Sequence, residues 1–138
     1  MSSSVELRIH RVEKYLTYLL GLRSAFPQSS HMPSALTDKV KDTIQTAYRT
    51  WLESRDFKPR RGQREMIAQI ARTLAGNGDR VAVVEAGTGT GKTAAYCLAA
   101  IPVAQSLGKT VVLSTATVAL QEQVVLQDLP DIKERAGL

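Results

Sequence analysis

With 138 residues, 43% of them hydrophobic, the chain is within the size of one domain and can bury a modest core. Its single cysteine, Cys97, excludes an internal disulfide framework and a cysteine-only metal site within these residues, and agrees with a reducing, cytoplasmic setting. The formal net charge is +5, and residues 1–80 hold 14 of the 18 Lys and Arg, which suggests a polyanionic partner, although a solvated basic face explains the same charge.

The first 31 residues are predicted to form an amphipathic helix and a linker. Apolar residues recur at helical spacing between positions 5 and 20, and turn-forming residues without periodicity follow. Such a helix either covers its own domain or docks a partner. Because Ser30-His31-Met32 resembles a cloning junction, we expect residues 1–31 to be an extension or a cloning remnant, separate from a domain at 32–138. The chain shows no signal-peptide core and no stretch that approaches the roughly 18 apolar residues of a membrane span, so no membrane association is expected.

Two helices are predicted next. The core face of the first is formed by Leu36, Val40, Ile44, Ala47 and Trp51, and that of the second by Met66, Ile67, Ile70 and Leu74. The aromatic rings of Tyr48 and Trp51 could stack on bases, but aromatic residues at helical spacing more often belong to the core. Between the helices lies a basic loop, Arg55 to Arg64. Here Gln63 matches the donor and acceptor pattern of an adenine edge, or is an exposed residue on the first turn of a helix.

The central motif is an eight-residue glycine loop between a predicted strand, 81–85, and a predicted helix that begins at Lys92. Its glycines allow backbone N–H groups to close on a phosphate chain, and the helix N-terminus favours negative charge. The ammonium of Lys92 is expected near the β- and γ-phosphates, and the hydroxyl of Thr93 on Mg²⁺. The predicted nucleotide-binding residues are Ala86, Gly87, Thr88, Gly89, Thr90, Gly91, Lys92 and Thr93.

Beyond the loop, the helix is expected to be interrupted near Pro102, and a second parallel strand is predicted at 110–114. Strand, helix and strand together predict an α/β fold. At the carboxyl end of the second strand lie Ser114, Thr115 and Thr117, followed by a predicted helix from Val118 to about 127. These hydroxyls suit a nucleic-acid phosphate, whereas Thr115 and Thr117 equally suit the N-cap of that helix.

Three motifs, in order and spacing, resemble the start of a DinG-type helicase, in the XPD-like group of superfamily 2. They are Arg60-Arg-Gly-Gln-Arg-Glu-Met66, Glu85-Ala-Gly-Thr-Gly-Thr-Gly-Lys-Thr93 and Val112-Leu-Ser-Thr-Ala-Thr-Val-Ala-Leu-Gln-Glu-Gln123. The resemblance covers residues from about 32 to the end. It implies a partial RecA-like domain in which Gln63 reads adenine, 86–93 is helicase motif I, and Ser114 to Thr117 belong to the motif Ia region that holds the DNA backbone.

The resemblance also implies an ATP- and Mg²⁺-dependent 5′→3′ helicase that acts on single-stranded DNA, forks and R-loops in repair, as a monomer. Family members carry a [4Fe–4S] domain after motif Ia. No ligands for that cluster, no acidic Mg²⁺ motif and no second motor domain can be placed in this sequence, so we expect an N-terminal fragment that is inactive alone. Two other classes stay open: another P-loop enzyme such as a kinase, and a non-catalytic nucleotide-binding module.

Overall fold

The structure is a computed structural model that describes residues 8–10, 36–76 and 81–138. The first helix, α1, spans Asp38–Glu53, and the hydroxyl of Thr37 caps it by accepting a hydrogen bond of 3.3 Å from the backbone N–H of Val40. The predicted face is confirmed, because the buried side chains of α1 fall at helical spacing. They are Val40, Ile44, Ala47, Tyr48, Trp51 and Leu52.

Helix α2 spans Arg61–Leu74, and its buried residues, Gln63, Met66, Ile67 and Ala71, again lie on one face. The predicted core residue Leu74 is instead 47% exposed, at the last turn of the helix. Gly76, just after the helix, has a φ of +78°, a left-handed value that suits glycine. This helix begins within the Arg60–Met66 motif and buries two of its residues, Gln63 and Met66.

Helix α3, Lys92–Leu107, lies at the centre of the molecule and packs against α1 and α2. Its small side chains, such as Ala95 and Ala99, are fully buried and allow the neighbouring helices to approach closely. The predicted interruption near Pro102 is wrong, because the helix continues through this residue to Leu107. A proline inside a helix costs about 3 kcal/mol. Burial on nearly every side of α3 offsets that cost.

The sheet differs from the prediction. Strand β2 is Val83–Glu85, shorter than the predicted 81–85, and it pairs antiparallel with β1, Arg8–His10, with Ile9 opposite Val84. The predicted helix over 5–20 is thus wrong at 8–10, because this segment instead satisfies backbone groups along an edge of β2. The rest of residues 1–31 lies outside the described residues.

The predicted parallel strand at 110–114 is absent from the described structure, where residues 109–115 form neither helix nor strand. A strand requires a neighbour that completes its hydrogen-bond ladder, and no described segment pairs with 110–114. Val112 is accordingly 86% exposed. The parallel βαβ unit predicted from the sequence is therefore not formed among residues 36–76 and 81–138.

The last part of the described chain is helical, as predicted, but extends further. Helix α4, Val118–Gln123, leads into a π-helical turn, Val124–Asp128, and then into α5, Leu129–Ala136. The π turn is seen in the bond from the N–H of Leu129 to the carbonyl of Val124. Helix α5 packs on α1 and α3, and Ile132 is its most deeply buried residue.

Candidate nucleotide-binding site

The glycine loop follows β2 and ends where α3 begins, as the sequence predicts. Gly89 and Gly91 have φ values of +74° and +73°, in the left-handed region where glycine is favoured. Gly91 occupies the N-cap position of α3, and its carbonyl accepts the bond from Ala95 that starts the helix. The first N–H groups of a helix have no intrahelical acceptor, so the loop and the start of α3 present donors to an anion.

The Lys92 side chain folds back over the loop. Its ammonium donates hydrogen bonds of 2.9 Å to the carbonyl of Ala86 and 2.8 Å to that of Gly87. The hydroxyl of Thr90 donates to the same Gly87 carbonyl at 2.9 Å. Lys92 is exposed, and these carbonyls hold its positive charge beside the loop. A phosphate at this position would therefore meet an ammonium that the backbone already orients.

The loop is held from the other side by the motif at the start of α2. The guanidinium of Arg60 donates to the carbonyl of Gly89 at 2.9 Å, and the amide of Gln63 donates to the carbonyls of Thr90 and Gly91 at 3.4 and 3.3 Å. In a trans peptide the N–H points opposite to the C=O. The N–H groups that follow these three carbonyls consequently point away from α2, as a phosphate cradle requires.

Gln63 lies on the first turn of α2 but is buried, so its interpretation as an exposed residue is wrong. Its residue is only 5% exposed, and both ends of its amide are engaged. The oxygen Oε1 accepts a hydrogen bond of 3.0 Å from the hydroxyl of Tyr48, while Nε2 donates to the loop. Reading of adenine by Gln63 stays a prediction.

The contacts that two residues make at this site were not predicted from the sequence. Tyr48 lies on α1, and its hydroxyl contacts both Gln63 and the backbone N–H of Arg60. The helical spacing correctly places the ring of Tyr48 in the core, but it carries no signal for what the hydroxyl contacts. Arg60 was quoted only as part of the motif and as one of several basic residues, and nothing in its spacing indicates the bond to Gly89.

The donor set of the loop fits a nucleotide triphosphate with Mg²⁺. The space beside Gly87 and Gly89 is open, since a Cβ added at either would meet no atom within 4 Å. Thr93, half-buried on the first turn of α3, would offer one hydroxyl oxygen, and Mg²⁺ is commonly held by few protein oxygens together with phosphates and water. The described residues contain no group of three or more His, Cys, Asp or Glu that could bind a metal by themselves.

The predicted DNA-binding residues lie in the segment before α4. Ser114 and Thr117 are exposed. The hydroxyl of Thr117 caps α4 by accepting from the N–H of Leu120 at 3.2 Å, and that of Thr115 donates to the carbonyl of Thr117 at 3.1 Å. The N-cap interpretation is thus confirmed for Thr117, and a contact with DNA stays a prediction.

Cys97 and Asp131, outside the glycine loop, have shifted pKa values. Burial, together with the negative charge of Asp128, raises the pKa of the Cys97 thiol to about 11, so this buried thiol stays protonated near neutral pH. Burial also acts to raise the pKa of Asp131. Hydrogen bonds from Arg55 and Trp51 and the charge of Arg55 outweigh it and hold that pKa below its ordinary value. Neither group takes part in the phosphate cradle.

Comparison with known proteins adds independent observations. The family model described as DEAD/DEAH box helicase matches residues 60–134, which include the loop and the contacts from α2. The chain is similar to the ATP-dependent DNA helicase DinG of Escherichia coli (strain K12), of Salmonella choleraesuis and of Photobacterium profundum. Each is 46% identical to it, over 101 residues in the first two and 99 in the third.

These alignments cover 72% of this chain for the first two relatives and 69% for the third, but the chain spans only 14% of the length of each relative. A helicase domain implies a RecA-like fold, of which the described residues show the strand β2, the glycine loop and the helix α3 that follows it. No described helix is both long enough and apolar enough to cross a membrane. From the match over residues 60–134, which include the glycine loop, the chain belongs to the DEAD/DEAH box helicase family.

Proposed function

We propose that the protein carrying this chain is an ATP-dependent DNA helicase and that residues 86–93 bind its ATP. The observation that supports this most directly is the double anchoring of the loop. Lys92 is held against the carbonyls of Ala86 and Gly87, while Arg60 and Gln63 hold the following carbonyls from α2. This arrangement leaves backbone N–H groups and an ammonium for the phosphates of a nucleotide.

In this proposal each group has a defined task. Lys92 neutralises the charge that develops on the phosphates during hydrolysis, and the N–H groups of the loop orient them. Thr93 would offer its hydroxyl to Mg²⁺, which would offset the charge of the phosphates when bound. Gln63 reads the adenine edge by accepting from the amino group of the base with the second lone pair of Oε1, because the carbonyls of Thr90 and Gly91 already engage the Nε2 donors. Ser114, Thr115 and Thr117 contact the DNA backbone.

From the resemblance we further propose 5′→3′ movement on single-stranded DNA, unwinding of forks and R-loops in repair, and a monomeric, cytoplasmic protein. A [4Fe–4S] cluster would be held by residues outside this sequence. A matched pair of substrates tests the direction: a duplex with a 5′ single-stranded overhang should be unwound, and one with a 3′ overhang should not. Reading the coding sequence beyond Leu138 tests the cluster, since four cysteines should follow.

The decisive experiment measures ATP hydrolysis by the full-length protein that carries this chain, with and without single-stranded DNA. DNA-stimulated hydrolysis is expected, and Lys92→Ala should abolish it. The matched control is Lys109→Ala, because Lys109 lies just beyond the C-terminus of α3, and only its backbone N–H takes part in a hydrogen bond among the described residues. Normal hydrolysis by Lys92→Ala would refute the site. Hydrolysis that DNA does not stimulate would favour another P-loop enzyme, and nucleotide binding without turnover would favour a binding module.

A further inference from the structure

The hydroxyl of Tyr48 lies at a buried junction between α1, the start of α2 and the glycine loop. Tyr48 is 8% exposed and Gln63 5%, so water does not readily replace a partner that either side chain loses. The hydroxyl contacts the backbone N–H of Arg60 at 3.4 Å and Oε1 of Gln63 at 3.0 Å. No buried side-chain nitrogen or oxygen in the described part of the chain lacks a hydrogen-bond partner.

The direction of these bonds is fixed by chemistry. A backbone N–H only donates, so the Tyr48 oxygen accepts from Arg60, and its single proton is left for Gln63. The group that Gln63 turns toward Tyr48 must therefore be an acceptor, which is Oε1. The amide nitrogen then faces the opposite direction, toward the carbonyls of Thr90 and Gly91, which only accept.

We propose that Tyr48 is a positioning residue of the nucleotide site, which acts through the Gln63 amide on the glycine loop. By donating to Oε1, Tyr48 holds Nε2 against the carbonyls of Thr90 and Gly91. Those carbonyls then orient the N–H groups of Gly91 and Lys92 toward the phosphates, because C=O and N–H lie on opposite sides of a trans peptide. This inference rests on the proposed nucleotide site and adds to it a residue on α1.

Tyr48→Phe removes the hydroxyl and retains the ring in the core. Oε1 of Gln63 would then lose its donor inside a buried junction, and the amide would hold the loop less firmly. A smaller fraction of molecules would present the loop in its binding conformation, so the apparent affinity for a nucleotide falls by that fraction. We expect binding of a slowly hydrolysed ATP analogue with Mg²⁺ to weaken about tenfold, which corresponds to about 1.4 kcal/mol.

Tyr96→Phe is the matched control. Tyr96 lies on α3 and is half-buried, and its hydroxyl makes no hydrogen bond to the described residues, so its removal should leave the affinity unchanged. A double-mutant cycle then separates positioning from a general effect on packing. Gln63→Met keeps the side-chain volume and removes the amide. If Tyr48 acts through Gln63, adding Tyr48→Phe to Gln63→Met should cause no further loss of affinity.

The test is isothermal titration of the full chain and these variants with the ATP analogue and Mg²⁺, together with ¹H–¹⁵N spectra of the nucleotide-free proteins. Tyr48→Phe should shift the backbone signals of Gly89, Gly91 and Lys92, and Tyr96→Phe should not. In the Gln63→Met background, Tyr48→Phe should shift none of them. An affinity for Tyr48→Phe equal to that of Tyr96→Phe, or losses that add in the double variant, would overturn the inference.

The two readouts also separate this inference from the proposed function. Lys92→Ala tests only whether the loop binds nucleotide. If the wild-type chain bound no better than Lys92→Ala, the proposed nucleotide site would fail. The spectra, which need no nucleotide, would still decide whether Tyr48 orders the loop through Gln63: unchanged signals for the loop in Tyr48→Phe would refute the coupling.

Discussion

Trp51 and Asp131 are joined by a hydrogen bond of 2.9 Å from the indole Nε1 to Oδ2, although they are 80 residues apart in the chain. The other oxygen of Asp131, Oδ1, lies 2.8 Å from both Arg55 and Arg135. The guanidinium of Arg55 lies 5.6 Å from the ring centres of Trp51 and Phe57. The carboxylate of Asp131 therefore links α5 to α1, because it accepts from Trp51 and Arg55 near the end of α1 as well as from Arg135 in α5.

Asp131→Asn should destabilise the fold in a pH-dependent way. Since the pKa of Asp131 is lowered in the folded state, its contribution is present above the ordinary carboxylate range and is lost as the pH falls through the folded value. We expect the variant to lower the free energy of unfolding by about 1–3 kcal/mol at pH 7. The difference in free energy of unfolding between the wild type and Asp131→Asn should become smaller below about pH 4. Urea unfolding at pH 7, 4 and 2.5 measures both effects.

Asp38→Asn is the control for that measurement. Asp38 pairs with Lys41 at 2.9 Å, but its side chain is 93% exposed, so the change should leave stability nearly unaltered. A penalty for Asp131→Asn that stayed constant from pH 7 to pH 2.5 would contradict the role of its charge.

Gly91→Ala should be more destabilising than replacement of another glycine that has a similar backbone conformation. Its φ is +73°, and an added Cβ would collide with Nε2 of Gln63. Gly76→Ala is the matched control, because Gly76 has a similar φ of +78° with open space around it. The left-handed conformation alone costs roughly 1–2 kcal/mol for a non-glycine residue. We therefore expect this loss of stability for Gly76→Ala. For Gly91→Ala we expect a larger loss of stability and no nucleotide binding. Equal melting curves for the two variants would argue against a contact between residue 91 and Gln63.

The thiol of Cys97 should be unreactive in the folded protein. It is 1% exposed, and its pKa of about 11 leaves little thiolate at pH 8. Labelling by a disulfide reagent at pH 8 should be at least about a hundredfold slower than in 6 M guanidinium. The rate in the absence of denaturant then reports the opening of α3, and rapid labelling of the native chain would contradict the packing of this helix.

Substitutions at Thr117 and Ser114 distinguish a loss of helix capping from a loss of DNA contact. Thr117→Ala should cost about 1 kcal/mol of stability, because it removes the cap of α4, and should also weaken binding of single-stranded DNA. Thr117→Ser keeps the cap and should restore both. Ser114→Ala removes an exposed hydroxyl that caps no helix, so it should weaken DNA binding alone. Fluorescence anisotropy with a labelled oligonucleotide measures the affinity, and full affinity for Ser114→Ala would remove that residue from the proposed interface.

Sequence patterns were informative where they depend on nearby residues. The apolar spacing predicted the buried face of α1, including Trp51, and the glycine spacing predicted the loop and the start of α3 at Lys92. Patterns were less informative where distant parts of the chain decide the outcome. The apolar run at 110–114 has no strand beside it among the described residues. Helix α3 continues through Pro102 because the surrounding helices bury it.

The contacts that complete the site were not predictable for the same reason. Tyr48 approaches Gln63 from another helix, and Arg60 reaches Gly89 across 29 positions of the sequence. Their sequence context did not indicate these contacts. A tyrosine at helical spacing is typical of a hydrophobic core, and an arginine in a basic loop is typical of a solvated surface. Only the packing of α1, α2 and α3 shows that these side chains converge on the glycine loop.

The π turn between α4 and α5 holds one residue more than an ordinary helical turn, because the bond from the N–H of Leu129 reaches back five residues to the carbonyl of Val124. Each residue of an α-helix advances the side chains by about 100°. Loss of one residue from 124–128 would therefore convert the π turn into an ordinary turn and leave Asp131 and Ile132 facing α1 and α3, whereas gain of one residue would rotate both by about 100°. This stretch should accordingly tolerate a deletion better than an insertion, and exposed residues such as Leu126 should accept substitution.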